Sequence, residues 1–389
     1  MPYYRQFGSI PPKHHIEHPQ IPGYRNEGIF YEEVITTEGF NRAYSILYHL
    51  RPPTRVKHQE HLKSIAIELV SDPMLRHIHL KTKEIARAGD VIFGRTPMFH
   101  NSDVTISRCR PAKQQEQLYK NASADEVLFI HSGSGVLHSL YGKQAFHPFD
   151  YVVIPRGTIY KIVFDDIQKA DLLIVDSPPP IRLPHRYKNA DGQIRLGAPY
   201  SERDFHGPSQ LDIVDQEADT ELILKKGENY FRYVLASHPF DVVGWDGLIY
   251  PYTFNADDFE PITGTIHQPP PIHQTFETSG FVICTFAPRV LDTHPKAVKV
   301  PYAHSNVDSD EVLYYVRGKF GSRRGVEESS FTLHPLGIPH GPHPGTIVAS
   351  RAHTRTDELA VMIDTFRPLH LTQVAIEYDD PKYPLSWLE

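Results

Sequence analysis

Apolar residues in this chain recur at every second position in short runs, not at every third or fourth. Residues 311–318, EVLYYVRG, and 158–164, TIYKIVF, alternate in the way that buries one face of a β-strand. Such runs are short, rich in β-branched and aromatic residues, and broken by Pro, Gly and Asp. That is the pattern of antiparallel sandwiches and barrels. Gly133, Gly157, Gly318 and Gly341 fall just after predicted strands, where a turn needs a positive φ or a close backbone approach. The predicted fold is all-β, with long proline-rich loops and few short helices.

The pattern repeats. DEVLFIHSG (125–133) matches DEVLYYVRG (310–318), VTISRCRPA (104–112) resembles VICTFAPRV (282–290), with Cys109 and Cys284 in similar places, and ADLLIVDS (170–177) parallels ELAVMIDT (358–365). FDYVVIPRGT (149–158) parallels FTLHPLGIPHG (331–341), which sets Arg156 against His340. Two copies of one β unit follow, joined by a Pro- and Gly-rich connection over 178–208. The expected domains are 1–209, without a metal site, and 210–389, with one.

The copies differ where chemistry would sit. Seven positions before Glu311 is His304, whereas Tyr119 occupies that place before Glu126. The expected metal ligands are therefore His304, Glu311 and His340, while in the first copy Arg156 is expected to pair with Glu126. Two neutral imidazoles and a carboxylate leave open positions on an octahedral metal, the facial set associated with non-haem Fe(II) oxygenases. Zinc or manganese acting as a Lewis acid in an isomerase or hydrolase is the competing chemistry. A storage or sensor protein built on the same fold needs no ligands and fits less well.

Charge and cysteine content narrow the classes further. A net charge of −7 offers no basic field for nucleic acid or anionic membrane. Two cysteines cannot build a disulfide framework, and no apolar run is long enough to span a membrane or to resemble a leader. The expectation is a soluble, cytoplasmic protein. The histidines of KHHIEHP (13–19) read as an exposed arm.

HSNVDSDEVLYYVRG and FTLHPLGIPHGPHPG together resemble the paired motifs of the cupins. With SHPFDVVGWDGLIYPYTFN (237–255), HQPPPIHQTF (267–276) and VPYAHSN (300–306), the second half resembles the homogentisate 1,2-dioxygenase family. The resemblance is clear over roughly 230–370, and the opening YRQFG (4–8) is a weaker echo. It implies two cupin-type barrels and Fe(II) on His304, Glu311 and His340. It also implies O2 and a small aromatic substrate, homogentisate, cleaved to maleylacetoacetate in tyrosine and phenylalanine breakdown, and a homo-oligomer, trimer or hexamer. His334, six residues before the last ligand, corresponds to a histidine just outside the ligand set. His273 and His334 are the candidate proton acceptors; His267, Phe320, His340 and His343 are the candidate substrate contacts. Two positions depart from the family. Asp246 stands where its members carry a histidine, and Phe320 where they carry a substrate-binding tyrosine. Another hydroquinone or a gentisate-like ring is therefore an alternative substrate.

Overall fold

The computed structural model describes residues 2–17, 29–71, 75–323 and 325–388, so His18 of the expected arm lies outside the described residues. The architecture is all-β and duplicated, as the repeat predicts. The only α-helix among the described residues is the four-residue turn Thr346–Ala349. No described helix is long and apolar enough to cross a membrane.

The second copy is a six-stranded antiparallel sheet in the order Gln274–Glu277, Phe281–Phe286, Leu359–Thr365, Asp310–Arg317, Phe331–His334, Ile78–Leu80. The first copy repeats that order within an eight-stranded sheet: Arg95–His100, Thr105–Cys109, Asp171–Ser177, Asp125–Ser132, Asp150–Ile154. The register repeats as well. Glu126 stands opposite Asp176 and Ile154, and Glu311 opposite Asp364 and His334. A bulge recurs too, between Pro97 and Phe99 and between Gln274 and Phe276.

One hydrogen-bonded staple is common to both copies. Asp125 accepts from the backbone N–H of Arg156 (3.0 Å) and of Ile181 (2.9 Å); Asp310 accepts from that of Leu336 (2.7 Å) and of Leu369 (2.6 Å). A buried carboxylate that takes two backbone donors pins two strand ends at once.

These registers correct two expected equivalences. Arg156 corresponds to Leu336, not to His340; the hairpin after Glu311 is five residues shorter than that after Glu126, and the chain then runs five residues further, through Pro335–Pro339, to reach His340. Cys109 pairs with Leu172 and Cys284 with Met362, which puts the two cysteines two positions apart on equivalent strands. Both are buried and free.

The strands cross between the halves of the sequence. Ile78–Leu80 joins the sheet that carries Glu311, while Thr220–Lys226 and Asn229–Leu235 join the first half's seven-stranded sheet. Leu118–Asn121 pairs with Thr220–Lys226 in parallel. A continuous core that includes Phe129, Tyr151, Phe276, Val312 and Tyr314 joins the two copies.

A separate four-stranded sheet, Arg5–Gly8, Val242–Gly247, Tyr44–His49 and Tyr31–Thr36, carries a buried ion cluster. His49 Nδ1 lies 2.7 Å from Asp241 and Nε2 lies 3.1 Å from Glu33. Burial lowers the affinity of this ring for a proton, but hydrogen bonds from Asp241 and Glu33 outweigh it and push His49 up to about 9. An unfolded histidine titrates near ~6.5, so the stabilisation is complete below that pH and lost as pH rises through about 9. Urea unfolding should lose roughly 3 kcal/mol from this group between about pH 6 and about pH 10. The loss should be absent in His49→Gln, and an unchanged pH slope in that variant would contradict the assignment.

Candidate metal centre

Glu311 enters the site from the second residue of its strand, with His334 directly opposite on the neighbouring strand. His304 and His340 lie on irregular segments that pair at a two-residue bridge. His304 N–H donates to the His340 carbonyl at 2.8 Å, and His340 N–H to the His304 carbonyl at 2.9 Å. That pairing sets the two rings side by side, with centroids 4.3 Å apart. Gly341 permits the approach, since a Cβ there would stand 2.7 Å from Ala303 Cα. The predicted glycine turn is thus a contact between the segments that carry His304 and His340.

The histidine tautomers follow from the backbone. His304 Nδ1 is 3.3 Å from the Tyr302 carbonyl and His340 Nδ1 is 3.3 Å from the Ile338 carbonyl. A carbonyl can only accept, so each Nδ1 carries the proton and each Nε2 presents a lone pair. His304 Nε2 lies 3.7 Å, and His340 Nε2 3.4 Å, from the Glu311 carboxylate. One ligand atom from each of the three residues falls within 4.8 Å of the others, and His340 Nε2 is buried with no protein partner. Three acceptors that converge in a buried place repel one another unless a cation sits among them. The donor set therefore fits a divalent metal held by two nitrogens and one oxygen.

The charge state of the carboxylates supports the same reading. Burial alone would raise Glu311, but the neighbouring rings of His304, His334 and His340 hold it well below the usual carboxylate range. Its neighbour Asp364 is pushed well above that range by burial and then by the Glu311 charge. Burial and mutual charge thus drive the two carboxylates in opposite directions. His334 donates from Nδ1 to Glu311 at 2.7 Å and stacks on His340 at 4.5 Å, where burial drives its own pKa down to about 3. It fixes the carboxylate's direction.

The remaining predicted residues divide between two sides. His267 and His273 line a cavity on one side, where His267 Nδ1 bonds Asp292 at 2.8 Å and its ring faces Tyr302, itself next to His304. His273 is buried against Phe286 with Nδ1 unpartnered, and burial lowers it to about 3. A wider cavity of about 580 Å³ continues past His267, Tyr302 and Ala303. On the other side, His343 lies against Trp387, 4.3 Å between ring centroids, with Nε2 3.3 Å from Ser386. Phe320 packs on Tyr315 at 4.6 Å. Asp246 lies in the four-stranded sheet, where it accepts from Tyr4 Oη at 2.8 Å and faces His14.

Sequence reasoning missed His77 and Trp387. His77 precedes the strand Ile78–Leu80 and stands 5.5 Å from His334 and 6.2 Å from His340, with the Trp387 ring tilted against it at 4.7 Å. Both arrive from remote parts of the chain. The alternating histidines of RHIHL (76–80) were the available signal for His77.

In the first copy the equivalent position is filled by a cation, but the residue is not Arg156. Arg95 Nη1 lies 2.6 Å from Glu126 and 3.2 Å from Asp176, and Tyr160 Oη donates to Glu126 at 2.9 Å. Lys225 and Asn121 complete the shell around Asp176. Arg156 instead pairs with Asp125 at 3.0 Å. The expected salt bridge in place of a metal exists with a different arginine.

Residues 91–256 match the profile of the homogentisate 1,2-dioxygenase N-terminal region. A protein of Saccharolobus solfataricus named "Putative dioxygenase" is 38% identical across 100% of this chain and 99% of its own length. The homogentisate 1,2-dioxygenase of Bradyrhizobium diazoefficiens is 26% identical over 66% of this chain, and one from Rhodopseudomonas palustris 27% identical over 68%. The matched region spans about 59–60% of those two relatives. Among solved structures, a cupin 2 conserved barrel domain protein from Leptotrichia buccalis aligns over 78% of this chain and 100% of its own, at TM-score 0.35 and 9% identity. Oxalate decarboxylase of Bacillus subtilis aligns over 75% of this chain and 78% of its own, at TM-score 0.34 and 11% identity.

Proposed function

Because the chain belongs to the homogentisate 1,2-dioxygenase family, we propose that it is a ferrous dioxygenase that opens the ring of homogentisate with O2 to give maleylacetoacetate. The observation that carries this reading is the convergence of His304 Nε2, His340 Nε2 and a Glu311 oxygen in the one copy that lacks an arginine plug. Ferrous iron, which His304, Glu311 and His340 would hold, would supply Lewis acidity and one-electron redox chemistry toward O2 and an electron-rich ring.

The protein's own part is to hold, orient and move a proton. Tyr302 and Ile338 carbonyls lock the two ligand imidazoles, and His334 locks Glu311. His334 is thus a positioning residue in this reading. The cavity of about 580 Å³ beside Tyr302 is of a size that takes a single substituted ring. At its wall, the Asp292 carboxylate holds His267 by Nδ1 and leaves Nε2 to accept the phenolic proton. His273, buried and poorly basic, shapes the adjoining cavity.

Oxygen uptake by anaerobically Fe(II)-loaded protein tests the proposal, with homogentisate, gentisate and plain hydroquinone compared side by side and the ring-opened product followed by absorbance. Uptake is expected with homogentisate. Uptake with another ring alone would keep the chemistry and move the substrate; none with any ring would reject the oxygenase.

A further inference from the structure

His334, Glu311 and Asp364 stand in a row across one face of the second copy's sheet. They lie directly opposite one another on the neighbouring strands Phe331–His334, Asp310–Arg317 and Leu359–Thr365, so all three side chains project to the same side. His334 bonds Glu311 and stacks on His340, which closes one flank of the carboxylate. Asp364 holds the other flank, where the Glu311 charge and the His304 ring both act on it.

Asp364 has no hydrogen bond or ion pair with any described residue. Its Oδ1 is buried without a partner, while the residue as a whole is only half-buried. His340 Nε2, which presents its lone pair to the metal position, is enclosed in the same way. A buried carboxyl oxygen left unbonded costs about 1–3 kcal/mol, so such an atom is expected to meet a donor in the working protein.

The first copy shows what a carboxyl in this place takes. Asp176 lies opposite Glu126 as Asp364 lies opposite Glu311. The two carboxylates share one guest, for Arg95 Nη1 is 2.6 Å from Glu126 and 3.2 Å from Asp176. Asp176 Oδ1 also accepts from Asn121 at 3.1 Å and from Lys225 at 3.4 Å. All of these donors belong to the protein. No described side chain plays that part for Asp364, so its donor must arrive with the guest that Glu311 holds. A bare cation cannot donate a hydrogen bond, but a water or hydroxyl bound to it can.

We propose that Asp364 hydrogen-bonds the ligand at an open position of the metal, a water or a substrate hydroxyl, and so selects ligands that coordinate through O–H. This rests on the metal-centre reading of His304, Glu311 and His340. Asp364 stays outside the ligand set itself, whose atoms lie within 4.8 Å of one another. The substrate class is then a ring with a free hydroxyl, not an ether or a ring that offers a carboxylate alone.

The visible absorption of Co(II)-loaded protein under argon gives a readout apart from turnover. Hydroquinone is the probe, since hydroxyls are its only polar groups. Azide is the control, since it binds metals and has no hydrogen to donate. Asp364→Val should leave Co(II) uptake and azide affinity unchanged. It should weaken hydroquinone by at least about tenfold, the scale of one hydrogen bond that involves a charged group. Asp364→Asn, which keeps an acceptor oxygen, should recover part of that loss. The proposal is overturned if hydroquinone does not move the bands of the parent protein, or if Asp364→Val binds it equally well. A parallel loss of azide or Co(II) in Asp364→Val, or no recovery in Asp364→Asn, overturns it too. A parent protein that takes up no Co(II) would overturn the metal centre, and the proposal with it.

Discussion

Arg95→Met should destabilise the protein by about 3–5 kcal/mol, the cost of leaving buried carboxylates without their counter-ion. Arg95 is nearly inaccessible, with only 8% of its side chain exposed, and Glu126 is at 1%, so water cannot take over the role of the guanidinium. Its charged form is strongly favoured: burial opposes it, but the Glu126 and Asp176 charges more than compensate. Lys225 still faces Asp176 in the variant, so the damage concentrates on Glu126. Glu126→Gln in the same chain should therefore recover much of the loss, because the amide removes the stranded charge while Tyr160 Oη still finds an oxygen. Urea unfolding of the two variants measures this, and equal stabilities for single and double variant would contradict it.

Glu311→Gln should abolish metal retention while leaving the β spectrum by circular dichroism intact. Loss of a residue that merely orients a ligand lowers metal affinity by roughly 10–100-fold, and Glu311 contributes the site's only ionised oxygen, so its loss should exceed that range. His334→Phe should fall within the range, because the ring's place against His340 is kept and only the 2.7 Å hydrogen bond to Glu311 is removed. Metal content after dialysis against a weak chelator distinguishes the two. If Glu311→Gln keeps a full equivalent of metal, the assignment fails.

The duplicated fold and the meeting of His304, Glu311 and His340 were legible because alternation and the DEVL repeat are local signals that survive in one chain. The same comparison misassigned Arg156, since matching the IPRG and IPHG turns hides a four-residue shift, from Leu336 to His340, that only the strand pairing reveals. Asp364 could have been found, as the repeat aligned its strand with that of Asp176. Arg95 could not, for it reaches Glu126 from 31 positions upstream, and no repeat or motif marks it in the strand RTPMFH (95–100). His77 and Trp387 reach the site from more than 200 and about 50 positions away from its histidines; RHIHL (76–80) carried a local signal for the first, and nothing comparable marked the second. The departure at Asp246 reads differently in three dimensions, because its carboxylate is engaged by Tyr4 and His14 in a different sheet from Glu311.

The central claim is that of the two equivalent glutamate positions, one holds a metal and the other an arginine. Crystals of the Fe(II)-loaded protein, measured for anomalous scattering at the iron edge, test it most directly. The account predicts one peak per chain, bonded to His304 Nε2, His340 Nε2 and Glu311, with nothing at Glu126. A peak beside Glu126, or none between the two histidines and Glu311, would contradict it.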